Sequence, residues 1–282
     1  MEHKKLIGAF KKEIDKIKNN AISDDEIKEW HDLIKESIQN DLKDGYKETI
    51  ARNLTLGIGV HAGDHPKNLI LTGDNDGWKY ITRFLLWQEH ILQKLFDYKE
   101  VSSRTIGGMI GLSMLWGMND LSRRSREYFQ ILFDGNKEHY AQKETHHLFM
   151  ALLYDLSHTG QINPELYAVL PEQSGYRKLL DHWDATDAEL LGSLILEICD
   201  HHIYSSLDLK NKFSEILSLN YIPYDVRLIE KIRQEQGLTN VQAEHPLLAT
   251  PLANIPKSKY EWDLSKDEVY QYLRRVEDGK HG

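Results

Sequence analysis

TDAELLGSLILEICDHHIY, residues 186–204, has the spacing of a helix. Leu190, Leu191, Leu194, Ile195 and Ile198 recur at intervals of three and four, the period that lines one helix face. Thr186 with Glu189 three residues on has the pattern of a capping box, in which each side chain satisfies the other's free backbone N–H. Glu189, Ser193, Glu197 and Asp200 fall on the opposite side. His201 and His202 lie seven residues beyond Leu194 and Ile195 and so continue the apolar face. A strand would alternate with period two, and this stretch does not.

The same period extends in both directions. Leu6, Phe10, Ile14 and Ile17 share a face, as do Ile27, Trp30, Ile34 and Ile38 behind a Ser23/Glu26 capping box. Further helices are predicted over 47–60, ended by Gly63-Asp64-His65-Pro66, and over 78–96, 105–118, 120–133 and 137–157. Asn163-Pro164 reads as a cap followed by proline at the first helical position. Pro223 opens a helix to Gln236 that Gly237 stops, and Ser265 with Glu268 opens the last. Apolar β-branched runs such as Leu69-Ile70-Leu71 are short and isolated. The expectation is an all-α chain of roughly ten packed helices, without significant sheet. One domain over 1–282 is expected, with N-terminal helices in 1–45, a core in 46–258 and a final helix in 259–282. No Pro/Ser-rich linker or solenoid repeat divides it.

Within the 105–118 helix, Gly107 and Gly111 are four apart and share a face. Glycine costs a helix about 1 kcal/mol relative to alanine, so close approach of a neighbouring helix is expected there. No strand precedes these glycines and no Lys-Ser/Thr follows them, which excludes a phosphate-binding P-loop.

Composition narrows the function classes. The chain is 40% apolar and 28% charged, an ordinary globular balance, and its formal net charge is −9. Such a surface repels phosphates and anionic lipid, so neither nucleic acid nor membrane is an expected partner. The Arg123-Arg124 and Arg126 patch is too short to reverse this. Cys199 is the single cysteine. It excludes an internal disulfide and a Cys-based zinc site, and suits a reducing compartment. The N-terminal stretch has no apolar signal region. The longest apolar run, 106–118, is shorter than the roughly 20 residues of a spanning helix. A cytoplasmic location is expected.

Fourteen histidines include two clusters that invite a metal reading. His146, His147, Asp155 and His158 lie along one predicted helix. Asp200, His201 and His202 end another. A helical metal-dependent phosphohydrolase of the HD type places an adjacent His-Asp pair among its ligands. Here that order occurs only at His31-Asp32, in an early amphipathic helix. The later cluster reads Asp200-His201, the reverse order, and in the earlier one Ala151 stands where an i+4 ligand to His147 belongs. Histidines that bond the free carbonyls of a helix end account for these groups more simply. His61-Ala62-Gly63-Asp64-His65 lacks the glutamate of a metalloprotease helix, and its glycine and proline read as loop. Cys199 reads as a small buried side chain. No catalytic residue, cofactor or metal site is expected.

From Leu179 to Leu209 the chain carries seven acids and no lysine or arginine. An acidic face holding an aromatic is one way to capture a basic protein, with charge steering the encounter and the ring anchoring it. Asp181, Trp183, Asp184, Asp187, Glu189, Glu197 and Asp200 are the candidate partner-binding residues.

Three stretches carry a family resemblance: ARNLTLGIGVHAGD (51–64), LLDHWDATDAELLGSLILEICDHHIY (179–204), and 221–256, which runs through IPYDVRLIEKIRQEQGL to EHPLLATPLANIP. They resemble the immunity protein 49 family of bacterial polymorphic toxin systems. His245-Pro246-Leu247 and the Pro251–Pro256 close fit the family pattern, with Ala253 in place of glycine and Ile255 in place of leucine. The resemblance implies an all-helical cytoplasmic antitoxin that binds and neutralises a cognate toxin domain stoichiometrically. It brings no catalytic residue with it. A basic toxin domain is the expected partner.

Overall fold

The fold is that of a computed structural model describing residues 2–45, 50, 54, 63–94, 103–210 and 212–277. Among these are thirteen α-helices and no strand, so the chain is all-α. The single β-type feature among the described residues is an isolated antiparallel bridge between Leu209 and Lys212. No helix of the described residues is long and apolar enough to cross a membrane. Most of the expected 47–60 helix, and residues 61 and 62 of the 61–65 motif, lie outside the described residues. Contacts gather the chain into two compact units, each made of two separate stretches: 1–16 with 103–258, and 17–102 with 259–282. Helix α1 (His3–Asn19) runs through one of these boundaries.

The smaller unit contains α2 (Asp24–Asp44), α3 (Asp64–Leu71), α4 (Gly77–Lys94) and α13 (Glu268–Glu277). The Ser23/Glu26 box forms as expected, with Ser23 N donating to Glu26 Oε2 at 2.8 Å and Glu26 N donating to Ser23 Oγ at 3.3 Å. Helix α3 is a correction: Gly63-Asp64-His65-Pro66 begins a helix rather than forming a loop. Pro66 sits in its first turn, where a missing N–H costs nothing because those donors have no intrahelical acceptor. Packing of α13 on α2 and of α3 on α4 builds the core. Arg83 on α4 and Asp267 form a buried ion pair at 2.5 Å, with Trp87 Nε1 donating to the same carboxylate at 3.3 Å. Asp267, not Ser265, caps α13: its Oδ1 accepts from Val269 N and Tyr270 N.

The larger unit is organised on α5 (Ile106–Leu115), which touches α6 (Asn119–Gly135), α8 (Thr145–Thr159) and α12 (Tyr224–Glu235). Every residue of α5 from Ile106 to Met114 is buried, as expected of a helix that is apolar all round. The expected close approach at its glycines is present. A Cβ on Gly107 would lie 2.6 Å from His147 Nδ1, and one on Gly111 would lie 2.4 Å from the Tyr224 ring.

The predicted 137–157 helix is two helices, α7 (Lys137–Gln142) and α8. The chain leaves helical geometry at Glu144 (φ −125°, ψ 46°), and the new helix carries His146 and His147 into the core. Helices α9 (Pro164–Val169) and α10 (Gly175–Asp181) follow, capped by Asn163 and Ser174. Helix α11 (Ala188–Ser206) is capped by Asp187, whose carboxylate accepts from Glu189 N and Leu190 N. Thr186 is therefore not the cap. An aspartate one residue closer to the helix reaches the same free N–H groups and complements the helix dipole as well.

Candidate functional site

Four helices of the larger unit bring polar side chains to one buried point. Helix α8 contributes His146 and His147 from its first turn, and α11 contributes His202 near its end. Helix α12 contributes Tyr224 and Asp225 at its start, and α10 contributes Tyr176. His146, His202, Tyr176, Tyr224 and Asp225 are all 0% exposed. His146 is held from both sides, with Nδ1 2.7 Å from Tyr176 Oη and Nε2 3.0 Å from Tyr224 Oη. Asp225 Oδ2 lies 2.9 Å from His202 Nδ1 and 3.8 Å from His146 Nδ1. Its Oδ1 accepts from Val226 N at 2.9 Å, one of the free donors at the start of α12.

Burial sets the electrostatics. It holds the His146 imidazole well below its ordinary range, and the neighbouring imidazoles of His202, His147 and His201 push the same way. It raises the Tyr176 and Tyr224 hydroxyls, helped by the Asp225 charge. Glu215 sits behind His146 and accepts from its backbone N–H at 2.5 Å and from Ser205 Oγ at 3.0 Å. Burial pushes its carboxyl up to about 8 against the effect of these two hydrogen bonds. His201 is pulled down to about 4, again by burial. Neither ring nitrogen of His147 has a hydrogen-bond partner among the described residues, and neither does His202 Nε2.

The two histidine clusters are regrouped by the fold. His146 and His202 meet in the core rather than bonding helix-end carbonyls, which corrects the simpler reading of them. His158 does behave as that reading expects: it is exposed, and its Nδ1 bonds the Tyr154 carbonyl at 2.9 Å. Asp155 is drawn away by Arg126, whose Nε and Nη2 donate to its two oxygens at 2.9 and 2.8 Å. Asp200 pairs with His3 at 2.8 Å and with His245 at 3.0 Å. His31-Asp32 is no ligand pair either, since His31 bonds Glu268 and Asp32 bonds Lys35 at 2.8 Å. Asp225, Tyr176 and Glu215 were not singled out by the sequence. Asp225 carries only the signal of an acid in the first turn of a Pro-led helix. Tyr176 and Glu215 carry none, because nothing local distinguishes them.

A cleft of about 630 Å³ lies beside this cluster, its walls including Arg104, Thr145, His201, Lys212 and Glu215.

The candidate partner-binding residues divide in two. Asp181, Asp184, Asp187 and Glu189 are exposed, with Trp183 half-buried among them. Leu190 beside them is 37% exposed. Asp181 also accepts from the Tyr167 hydroxyl, and Arg233 donates to the Trp183 carbonyl. Glu197 pairs with Lys178 at 2.9 Å, and Asp200 is held by His3 and His245. These last two are tied into the chain's own ion pairs.

Comparison of the chain with protein-family models, with curated proteins and with solved structures found no match.

Proposed function

We propose that this protein is an immunity protein, which captures a basic toxin domain in a one-to-one complex and holds it inactive in the cytoplasm. The observation that carries the reading is the exposed acid-rich surface at residues 181–190. It presents Asp181, Asp184, Asp187 and Glu189 around Trp183 and Leu190, with no lysine or arginine in that stretch. Opposite charges speed the approach of a basic partner, and an aromatic beside the acids supplies a desolvated anchor. The resemblance of 51–64, 179–204 and 221–256 to immunity protein 49 points the same way. So does the placement of His146, His202 and Asp225, which solvent does not reach.

The test uses the toxin domain encoded beside this chain. Co-expression is expected to restore growth and to yield a one-to-one complex. Replacing Asp184 and Glu189 by lysine is expected to slow association at low salt by at least about tenfold, leaving the melting temperature unchanged. If neither protection nor a complex is observed, the reading fails.

A metal-dependent phosphohydrolase is the second reading, favoured by the convergence of His146, His202 and Asp225. Hydrolysis requires an open coordination position that substrate can reach. These three side chains are wholly enclosed, which suits an ion that holds the fold better than one that turns over substrate.

A further inference from the structure

We propose that His146, His202 and Asp225 bind one divalent transition-metal ion, with zinc the best fit to the donors, and that the ion ties α8, α11 and α12 together. The proposal does not depend on the immunity reading, and its test involves no toxin.

Geometry is the first ground. Each of the three residues offers a ligand atom, and these atoms all lie within 4.8 Å of one another. Two of the spacings are 2.9 Å (His202 Nδ1 to Asp225 Oδ2) and 3.8 Å (His146 Nδ1 to the same oxygen). A tetrahedral ion with bonds of about 2.0–2.1 Å separates its ligand atoms by roughly 3.4 Å. The two measured spacings fall on either side of that value, each within about half an ångström of it. Tyr176 Oη, 2.7 Å from His146 Nδ1, is at hand as a fourth donor.

Charge is the second ground. The Asp225 carboxylate is 0% exposed, and among the described residues its ion-pair partners are the two imidazoles alone. Buried carboxylates are costly unless paired with a charge or bound to a metal. No lysine or arginine supplies that charge here, and a dication would.

The surroundings are the third ground. A ligating histidine ordinarily gives its second nitrogen to a hydrogen-bond partner that fixes the ring. His146 has a tyrosine hydroxyl at each nitrogen, so one remains whichever nitrogen binds the ion. This support is His146's alone, since the second nitrogen of His202, wholly buried, has no hydrogen-bond partner among the described residues. The His146 ring packs closely against α5, where a Cβ on Gly107 would lie 3.0 Å from His146 Cδ2. Two imidazoles and one carboxylate are poor ligands for magnesium or calcium, which prefer all-oxygen shells, and good ones for zinc.

The alternative is a metal-free pair of a His202 imidazolium with Asp225. The full chain, purified without a histidine tag, distinguishes them by elemental analysis. About one equivalent of zinc per chain is expected in the wild type and in His158→Gln, and a loss of at least about tenfold in His202→Gln and Asp225→Asn. Cobalt(II) substituted into the wild type is expected to show the visible bands of a four-coordinate site. Removing the ion with a chelator is expected to lower the melting temperature, and adding zinc to restore it. If wild-type protein binds no ion as purified or after reconstitution, or if His202→Gln keeps its ion, the proposal is overturned. Should both ligand variants fail to fold, the wild-type stoichiometry and cobalt spectrum decide it alone.

Discussion

A methyl group added at Gly111 would lie 2.4 Å from a Tyr224 ring carbon and 2.9 Å from Met150 Cε. Gly111→Ala is therefore expected to destabilise the protein by about 1–3 kcal/mol, because either α5 or the Tyr224 ring has to move. Gly192, in the middle of α11, has nothing within 4 Å of the same added atom. Gly192→Ala is expected to stabilise by about 0.5–1 kcal/mol through helix propensity alone. Urea unfolding of the two variants measures both signs, and equal effects would show that neighbours do not explain the glycines of α5. Asp267 makes a second prediction at this scale. Burial works to raise its carboxyl, but the Arg83 hydrogen bond and charge outweigh burial and hold it below the ordinary value of 3.8. A depressed carboxylate contributes stability that is present above its ordinary value and lost as pH falls through the folded one. Asp267→Asn is expected to cost about 3–5 kcal/mol near neutral pH, since Arg83 is left buried without its carboxylate. The gap between wild type and variant is expected to begin narrowing as the pH drops below about 4, where the carboxyl of the unfolded chain protonates, and to go on narrowing down to the lower value that the folded carboxyl holds. Melting temperatures of the two proteins at a series of pH values check this.

Helix ends are where sequence and structure part company. The Ser23/Glu26 box and the Asn163 cap form as their patterns predict, because both partners lie within three residues of each other. At α11 two adjacent residues, Thr186 and Asp187, can both cap, and the structure selects the aspartate. Asp187→Ala is expected to cost about 0.5–2 kcal/mol and Thr186→Ala very little, as read by thermal unfolding. A larger effect at Thr186 would restore the capping box. The break between α7 and α8 is harder to anticipate. Residues 137–157 carry no proline or glycine at the break, and local propensity favours one continuous helix. The interruption is supported by partners remote in sequence: Glu215 takes the free His146 N–H, and Tyr176 and Tyr224 take its ring.

For the whole molecule, the net charge of −9 makes association with a basic partner sensitive to salt, because exposed charges are screened beyond about 10 Å at 0.1 M ionic strength. The association rate with the proposed toxin partner is expected to fall by at least about tenfold between low and high salt, with a much smaller change in dissociation. A rate indifferent to salt would remove charge steering from the account. Helix type, the Ser23 and Asn163 caps and the packed glycines of α5 were legible in the sequence, because each depends on the spacing of residues within a few turns. The exposed acids of 181–189 were legible too, since an acid-rich stretch without basic residues has few ways to be buried. The sequence by itself thus determined an acidic, all-helical protein. Only tertiary structure decided which polar groups meet. His146 and His202 are 56 residues apart and Asp225 lies 23 further on. They share no helix and no motif, so nothing in the local chain separates them from Asp155, His158 and Asp200, which Arg126, Tyr154 and His245 engage elsewhere. Three helices have to pack before a buried carboxylate finds its two imidazoles.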